Sequence, residues 1–350
     1  MGVVYDWKND IDKLELNNIC SFLKNGEIIV FPTETVYGIG GDAFNDNACR
    51  KIFMAKGRPS DNPLIVHVSD RKMLEKCVKN ISELESKLID AFMPGPFTLI
   101  LPKNESVPGV VTANLNTVAI RMPKNMIATK IISSFGKPIA APSANKSGKP
   151  SGTNILDIKD ELKENVAAFI DGGNTEIGIE STVVRVVDNV PVILRPGAVT
   201  KEDIFNLVGK VKVDEHVLNE VKKEEVVLSP GMKHKHYSPR TQCILLDVSN
   251  EEKIEISSLI KNKNIAVIGL DIDAKIFEKV NFYSVGKDLK EFSKNIFSKL
   301  RELDVLNYNF ILIESVGLDG IGLAIMNRLI RTCGYNVVNK KEQIIEYLEN

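Results

Sequence analysis

Apolar residues recur at helical spacing from Leu14 to Leu23, then tighten into Glu27-Ile-Ile-Val-Phe31, an apolar run closed by Pro32. The first pattern predicts an amphipathic helix and the second a buried strand. Asp46 is positioned to cap a helix running through Ala55, and Leu64–Val68 reads as the next strand. Further strand patterns fall at Phe97–Leu101, Val118–Met122, Ile139–Ala141, Ala167–Ile170, Thr182–Val187 and Val192–Leu194. Helical patterns fit between several of them, at Leu84–Phe92, Asn125–Phe135, Ile155–Leu162 and Glu202–Val208. Strands outnumber helices, so the expected domain is α/β with a twisted mixed sheet and flanking helices.

From about Gly209 to Arg240 the pattern breaks. Residues 210–225 are charged with weak periodicity, and Ser229-Pro-Gly-Met-Lys-His-Lys-His-Tyr-Ser-Pro239 is bracketed by prolines. Such a stretch predicts a linker or an irregular lid. A second α/β pattern follows: strands at Cys243–Val248, Ile265–Ile268 and Phe310–Ser315, helices near Ile254–Leu259, Asp288–Leu303 and Ala324–Cys333. The expected division is a domain over 1–208, a linker over 209–240 and a smaller Rossmann-like α/β domain over 241–350.

Composition narrows the class. The chain has 350 residues, 45 basic and 46 acidic, for a net charge of −1. The split is even on both sides of position 208, so neither half is a basic arm of the kind that holds a nucleic acid backbone. Apolar residues at 43% fit a globular protein. No apolar run nears the roughly 18 residues of a membrane span, and the amino terminus lacks the basic and apolar regions of a signal peptide. A cytoplasmic protein with no membrane partner is the expectation. The five cysteines (20, 49, 77, 243, 333) are scattered and form no C-x-x-C pair, which predicts buried thiols rather than disulfides or thiolate zinc.

Neither a G-x-x-x-x-G-K-[ST] loop nor an early G-x-G-x-x-G is present. Gly317-Leu-Asp-Gly320-Ile-Gly322 fits either a ligand approach to a helix N-terminus or a tight strand–helix turn. The first domain holds a more specific set. Pro32-Thr-Glu-Thr-Val-Tyr-Gly38 leaves a strand end, where α/β folds place ligand groups. Lys56-Gly-Arg58 puts two cations in a Gly/Pro-broken loop, and Arg121 ends an apolar strand. Ala141-Pro-Ser-Ala-Asn145, Glu180-Ser181 and Arg195-Pro-Gly197 all flank strands. Together they make a polyanion site built from loops: Lys56, Arg58, Arg121 and Arg195 as cations, Ser143, Asn145 and Ser181 as neutral donors. No carboxylate pair or Ser–His–Asp order is evident, so the chemistry suggested is charge stabilisation.

These motifs, with Asn62-Pro-Leu64, Pro94-Gly-Pro96 and Glu180-Ser-Thr182, closely resemble the YrdC-type L-threonylcarbamoyl-adenylate synthases. The linker and Gly322-Leu-Ala-Ile-Met-Asn-Arg328 look like the longer, two-domain branch of that family. The resemblance implies a YrdC-like catalytic domain over 1–208 that converts L-threonine, bicarbonate and ATP to L-threonylcarbamoyl-AMP and diphosphate. It implies that Mg²⁺ accompanies ATP and that the product passes to a separate tRNA-modifying transferase, without stable tRNA binding here. Bringing a carbamate to the α-phosphate of ATP needs a dense positive field and little proton transfer. Lys56 and Arg58 are then the expected catalytic residues.

By the same resemblance, threonine contacts Thr35, His67, Arg121, the backbone at Ala141, and Ser181. ATP contacts Lys56, Arg58, Asn62, Thr117, Ser143, Asn145, Ser151 and Arg195, with His234, His236 and Tyr237 from the linker. His67 alone would read more readily as a core histidine in an alternating strand than as a ligand. His234 sits where the family often has tyrosine, and either linker ring could stack on adenine or reach a phosphate. An RNA-binding module is the main alternative of another class, disfavoured by the charge split and by only 6% aromatic residues. A related carbamoyl-adenylating enzyme of hydrogenase maturation is a second, disfavoured by the missing C-x-x-C pairs. The expected lid, Ser229–Pro239, would exclude water from a labile adenylate. Cutting the chain within 222–225 is expected to weaken ATP retention and shorten product lifetime; unchanged values in a product-decay assay would dispose of the lid.

Overall fold

In the computed structural model, which describes residues 2–219 and 237–349, the chain forms two compact units. The first holds the residues up to 219 apart from 148–150; the second holds those three and 237–349. The linker positions 220–236, with His234, His236 and most of the expected lid, lie outside the described residues.

The first unit carries eleven strands in one sheet. In chain order they are β1 (Val3–Asp6), β2 (Ile29–Phe31), β3 (Gly38–Asp42), β4 (Ile65–His67), β5 (Phe97–Pro102), β6 (Thr117–Arg121), β7 (Ile139–Ala140), β8 (Ala168–Asp171), β9 (Thr182–Val187), β10 (Val190–Arg195) and β11 (Lys212–Val213). Across the sheet they run β1-β8-β2-β3-β7-β4-β6-β5-β9-β10-β11. Pairing is mixed as expected: β4 is parallel to β6 and antiparallel to β7, while β5 is antiparallel to β6 and parallel to β9. One face packs a large core against the helices Lys13–Lys24, Asp46–Lys56, Glu83–Phe92 and Met126–Phe135. A smaller apolar cluster (Ile65, Ile100, Ala119, Val183 and Leu194) comes from β4, β5, β6, β9 and β10.

Local chemistry sets the helix ends. Asp12 and Asn45 accept from two backbone N–H groups each, and Ser82 and Thr200 make complete capping boxes with Glu85 and Asp203. The N-cap of the second helix is thus Asn45, with Asp46 as its first residue. The pattern over Ile155–Leu162 yields only the short helix Lys159–Leu162, because Asn154 and Asp157 bond each other in a local turn. β1 and the glycine-rich β3 gave no strand signal. Glycine carries no side chain to advertise burial, yet all five residues of β3 are buried.

The second unit is a five-stranded parallel sheet: β12 (Gln242–Leu246), β13 (Ile265–Gly269), β14 (Asn281–Ser284), β15 (Phe310–Glu314) and β16 (Val337–Val338), ordered β14-β13-β15-β12-β16. Four helices accompany it, at Asn250–Leu259, Leu289–Leu303, Gly322–Thr332 and Glu342–Glu349. Its Gly317–Gly322 segment is a strand–helix turn. A Cβ on Gly322 would lie 1.9 Å from the Gly317 carbonyl oxygen, so the close approach is of backbone on backbone. At the end of β15, Glu314 is buried beside Lys253 at 2.7 Å, and burial pushes its pKa up to about 7.

Candidate active site

The sheet register assembles a row of polar residues across the ends of neighbouring strands. His67 pairs with Arg121, and Arg121 pairs with Thr98. Thr98 Oγ1 then meets Ser181 Oγ at 2.8 Å. Arg195, ending β10, donates from Nε and Nη2 to the Ser181 carbonyl at 3.1 and 3.0 Å, and from Nη2 to its hydroxyl at 3.2 Å. Five segments separated in sequence therefore meet on one line. Gly197 makes this possible: a Cβ there would fall 2.4 Å from the Thr182 nitrogen and 2.7 Å from the Glu180 carbonyl oxygen.

The Pro32–Gly38 loop closes on that row. Thr33 Oγ1 bonds the Val36 carbonyl at 2.6 Å and Thr35 Oγ1 at 2.9 Å, which fixes a tight local turn. Arg121 Nη1 donates to Thr35 Oγ1 at 2.8 Å, and its Nη2 lies 2.8 Å from Glu34 Oε1 as an ion pair. Both side chains are about 95% buried (5% and 4% exposed). The loop's backbone is tied as well: the Ile177 and Gly178 N–H groups donate to the carbonyls of Glu34 and Thr35. Glu180 in turn accepts from Ser151 Oγ at 2.5 Å.

His67 is neutral. Burial first, then the Arg121 charge, lowers its pKa to about 3, and Nδ1 faces the Ile65 carbonyl at 3.2 Å. Hydrogen bonds to the backbone of Ile65 and Ile139 oppose that lowering only in part.

A second group of residues gathers on the loops beyond the strands. Lys56 ends its helix 3% exposed, and Nζ donates to the carbonyls of Ser143 and Asn145 at 2.5 and 2.7 Å and to Asn145 Oδ1 at 3.2 Å. Ser143 Oγ adds a 2.6 Å bond to the same Oδ1. Arg58 Nη2 donates to the carbonyls of Asn62 and Pro63, with its guanidinium 5.8 Å from the centre of the Phe53 ring. Asn62 is 1% exposed, yet neither atom of its amide has a hydrogen-bond partner. After β7 the chain runs back along β4, with the Ala141 N–H on the Ile65 carbonyl. Ser143 then bridges Gly38.

These two groups lie toward opposite ends of one sheet face. Thr117 and Arg121 begin and end β6, on the same face but about 13 Å apart at ~3.3 Å per residue. Ile65 and Ala119 of the smaller apolar cluster lie between them. The arrangement is an elongated site: a cation paired with an acid at one end, an apolar floor, and a cradle of lysine, hydroxyl and amide at the other. Among residues expected in the site, Thr35, His67, Arg121, Ser181 and Arg195 form the first end. Lys56, Arg58, Asn62, Ser143 and Asn145 belong to the second, with Thr117 beside them in register. Ser151 reaches Glu180. Tyr237 stacks on Phe297 at 5.2 Å between centroids and has Arg328 over its ring, all within the second unit.

Glu34 and Thr98 were not singled out from sequence. Thr98 looks like any alternating strand position, and Glu34 sat unmarked inside a motif chosen for its place at a strand end. An acid at the mouth of a buried strand was the available signal.

Two family models match the chain. One, described as "Telomere recombination" and named for Sua5, YciO and YrdC, covers residues 21–197. The other, the C-terminal domain of threonylcarbamoyl-AMP synthase, covers 199–334. Among curated relatives, the threonylcarbamoyl-AMP synthase of Pyrococcus abyssi is 38% identical over 97% of this chain and 99% of its own. That of Bacillus subtilis is 40% identical over 95% and 98%. The crystal structure of P. abyssi Sua5 complexed with L-threonine superposes with a TM-score of 0.90 at 38% identity, covering 96% of this chain and 99% of that one.

A depressed histidine pKa makes a stability prediction. Between about pH 6.5 and 3 the unfolded chain binds a proton at His67 that the folded chain refuses, so stability falls as pH drops through that window. His67→Gln should flatten the slope of urea midpoint against pH, and the His67 ring should show no NMR titration between pH 8 and 5. A ring that titrates near 6.5 would refute the neutral assignment.

Proposed function

We infer that this chain, which belongs to the Sua5–YciO–YrdC family, is an enzyme that synthesises threonylcarbamoyl-AMP. The observation that carries the reading is the likeness to two such synthases along both units, joined to a site whose two ends suit an amino acid and a nucleotide. L-Threonine and ATP are its substrates. Bicarbonate as the carbon source, and passage of the product to a tRNA-modifying transferase, complete the proposal. So does a cytoplasmic location; no helix among the described residues is long and apolar enough to cross a membrane.

The residue roles follow from the chemistry each end offers. Arg121 is assigned the threonine carboxylate, for which its planar fork is suited. Thr35 and Ser181 are assigned polar contacts to the same substrate, with Ala141 contributing backbone and neutral His67 a further contact. The nucleotide falls to Lys56, Arg58, Asn62, Thr117, Ser143 and Asn145, with Ser151 and Arg195 nearer the threonine end. The orphaned Asn62 amide, with one donor face and one acceptor, fits an adenylate. The linker residues His234 and His236 remain assigned to nucleotide by family resemblance, and Tyr237 with them.

Mg²⁺ belongs to this reading as part of the substrate, bound to the triphosphate. Among the described residues no three His, Cys, Asp or Glu side chains gather as a cation site. The Lys56 cradle places an ammonium charge among a hydroxyl and an amide bonded to one another, and a positive charge suits phosphate oxygens rather than a resident metal. Lys56 does two things here. Its charge lies next to the developing negative charge at phosphorus, and its three oxygen contacts hold the Ser143–Asn145 loop in shape.

Pyrophosphate release should require ATP, L-threonine and bicarbonate together, and omission of either co-substrate should reduce it to background. Serine or glycine turning over as fast as threonine would sink the threonine assignment. Lys56→Ala and Arg58→Ala should each lower turnover by roughly 10²–10³-fold, the scale of losing one oriented stabilising donor. Wild-type rates in a folded variant, checked by thermal melting, would return both residues to structural roles.

A further inference from the structure

We propose that Glu34 receives the α-ammonium of the amino-acid substrate, so that Arg121 and Glu34 together read a zwitterion. The inference rests on the reading of that substrate as L-threonine.

Glu34 is 3% exposed, and its two oxygens differ in what they do. Oε1 faces Arg121 Nη2 at 2.8 Å without hydrogen-bond alignment, and Oε2 has no partner at all. On the other side of the pair, Arg121 spends Nη1 on Thr35, while Nε and Nη2 make no aligned hydrogen bond. A buried polar atom left without a partner costs about 1–3 kcal/mol. Here the unsatisfied atoms come as a matched set: a donor edge on a guanidinium, beside an acceptor on a carboxylate.

An α-amino acid carries the complementary set at fixed spacing. Its carboxylate needs two donors on one edge, which Nε and Nη2 supply side-on. Its ammonium, one carbon away, needs an acceptor beside that edge, which Glu34 Oε2 supplies. Charge agrees as well as geometry. With His67 neutral, Arg121 and Glu34 stand as one positive and one negative group side by side, and a zwitterion carries the same pair in reverse. If Glu34 served only to neutralise Arg121, an aligned pair using both oxygens would leave neither atom orphaned. The Thr33–Val36 turn instead holds the carboxylate short of full engagement.

The test compares L-threonine with 2,3-dihydroxybutyrate, which keeps the carboxylate and β-hydroxyl but replaces the ammonium by a hydroxyl. Calorimetric titration of the full chain should show threonine bound at least tenfold tighter. Glu34→Gln should weaken threonine by about 10- to 100-fold, the range of one charge-assisted hydrogen bond. The same variant should bind dihydroxybutyrate as well as the wild type or better, because Arg121 loses a competing anion. Equal weakening of both ligands would overturn the proposal, since Glu34 would then act only by placing Arg121. So would equal affinity of the wild type for both. Should Glu34→Gln fail to fold, Glu34→Asp keeps the charge but withdraws it, and selective loss of threonine is again required. A wild-type chain that binds no threonine would overturn the functional reading itself; threonine binding without Glu34 selectivity overturns this inference alone.

Discussion

A guanidinium on an inner strand of a sheet must be neutralised where it stands, and much of the first unit's architecture follows from how Arg121 meets that demand. Removing an ion from water costs several kcal/mol unless a counter-ion and hydrogen bonds replace the solvent. Glu34 and Thr35 supply them from a loop that leaves β2, so that loop has to lie against the end of β6. Its carbonyls then anchor Ile177 and Gly178, which brings Glu180 and Ser181 to the same place. Arg195 and Thr98 close on Ser181. One buried charge thus fixes the relation of β5, β6, β9, β10 and the Pro32–Gly38 loop.

The other end of the face obeys the same rule with different chemistry. Lys56 is buried at the end of a helix, where the exposed carbonyls of the last turn favour a cation. Its ammonium donates to oxygens of the 143–145 loop. Lys56 brings a positive charge to this end, whereas the charge of Arg121 at the other end is paired with Glu34. The two ends therefore differ in field: one suits a zwitterion, the other a polyphosphate. A near-zero net charge on the whole chain is no obstacle, because these fields act over a few ångströms inside low-dielectric walls.

Much of this was legible before the fold. Each of Lys56-Gly-Arg58, Ala141–Asn145 and Arg195–Gly197 lies within a few residues of a strand or helix end, and such ends announce themselves through periodicity and caps. The strands β4, β5, β6, β8, β9 and β10 and most helices followed from apolar spacing within a residue or two. What escaped did so for identifiable reasons. β3 is Gly-Ile-Gly-Gly-Asp and has no side-chain pattern to read. Thr98 is indistinguishable from a packing position. The 155–158 stretch has helical spacing, but Asn154 and Asp157 divert it into a turn. The Gly317–Gly322 motif read as a turn more readily than as a ligand loop, and the Gly322–Gly317 backbone approach is of the kind a tight turn requires.

The sequence by itself determined the α/β class, the mixed first sheet and the identity of the motif residues, because periodicity and turn chemistry are local properties. Tertiary structure alone decided which of those residues face one another. His67, Thr98, Arg121 and Ser181 stand in one row only because register aligns strands drawn from distant parts of the chain, and no spacing along the chain encodes register. Burial was likewise a three-dimensional outcome. It made His67 neutral, paired Arg121 with Glu34, and gave an unremarked glutamate a partner on one oxygen and none on the other.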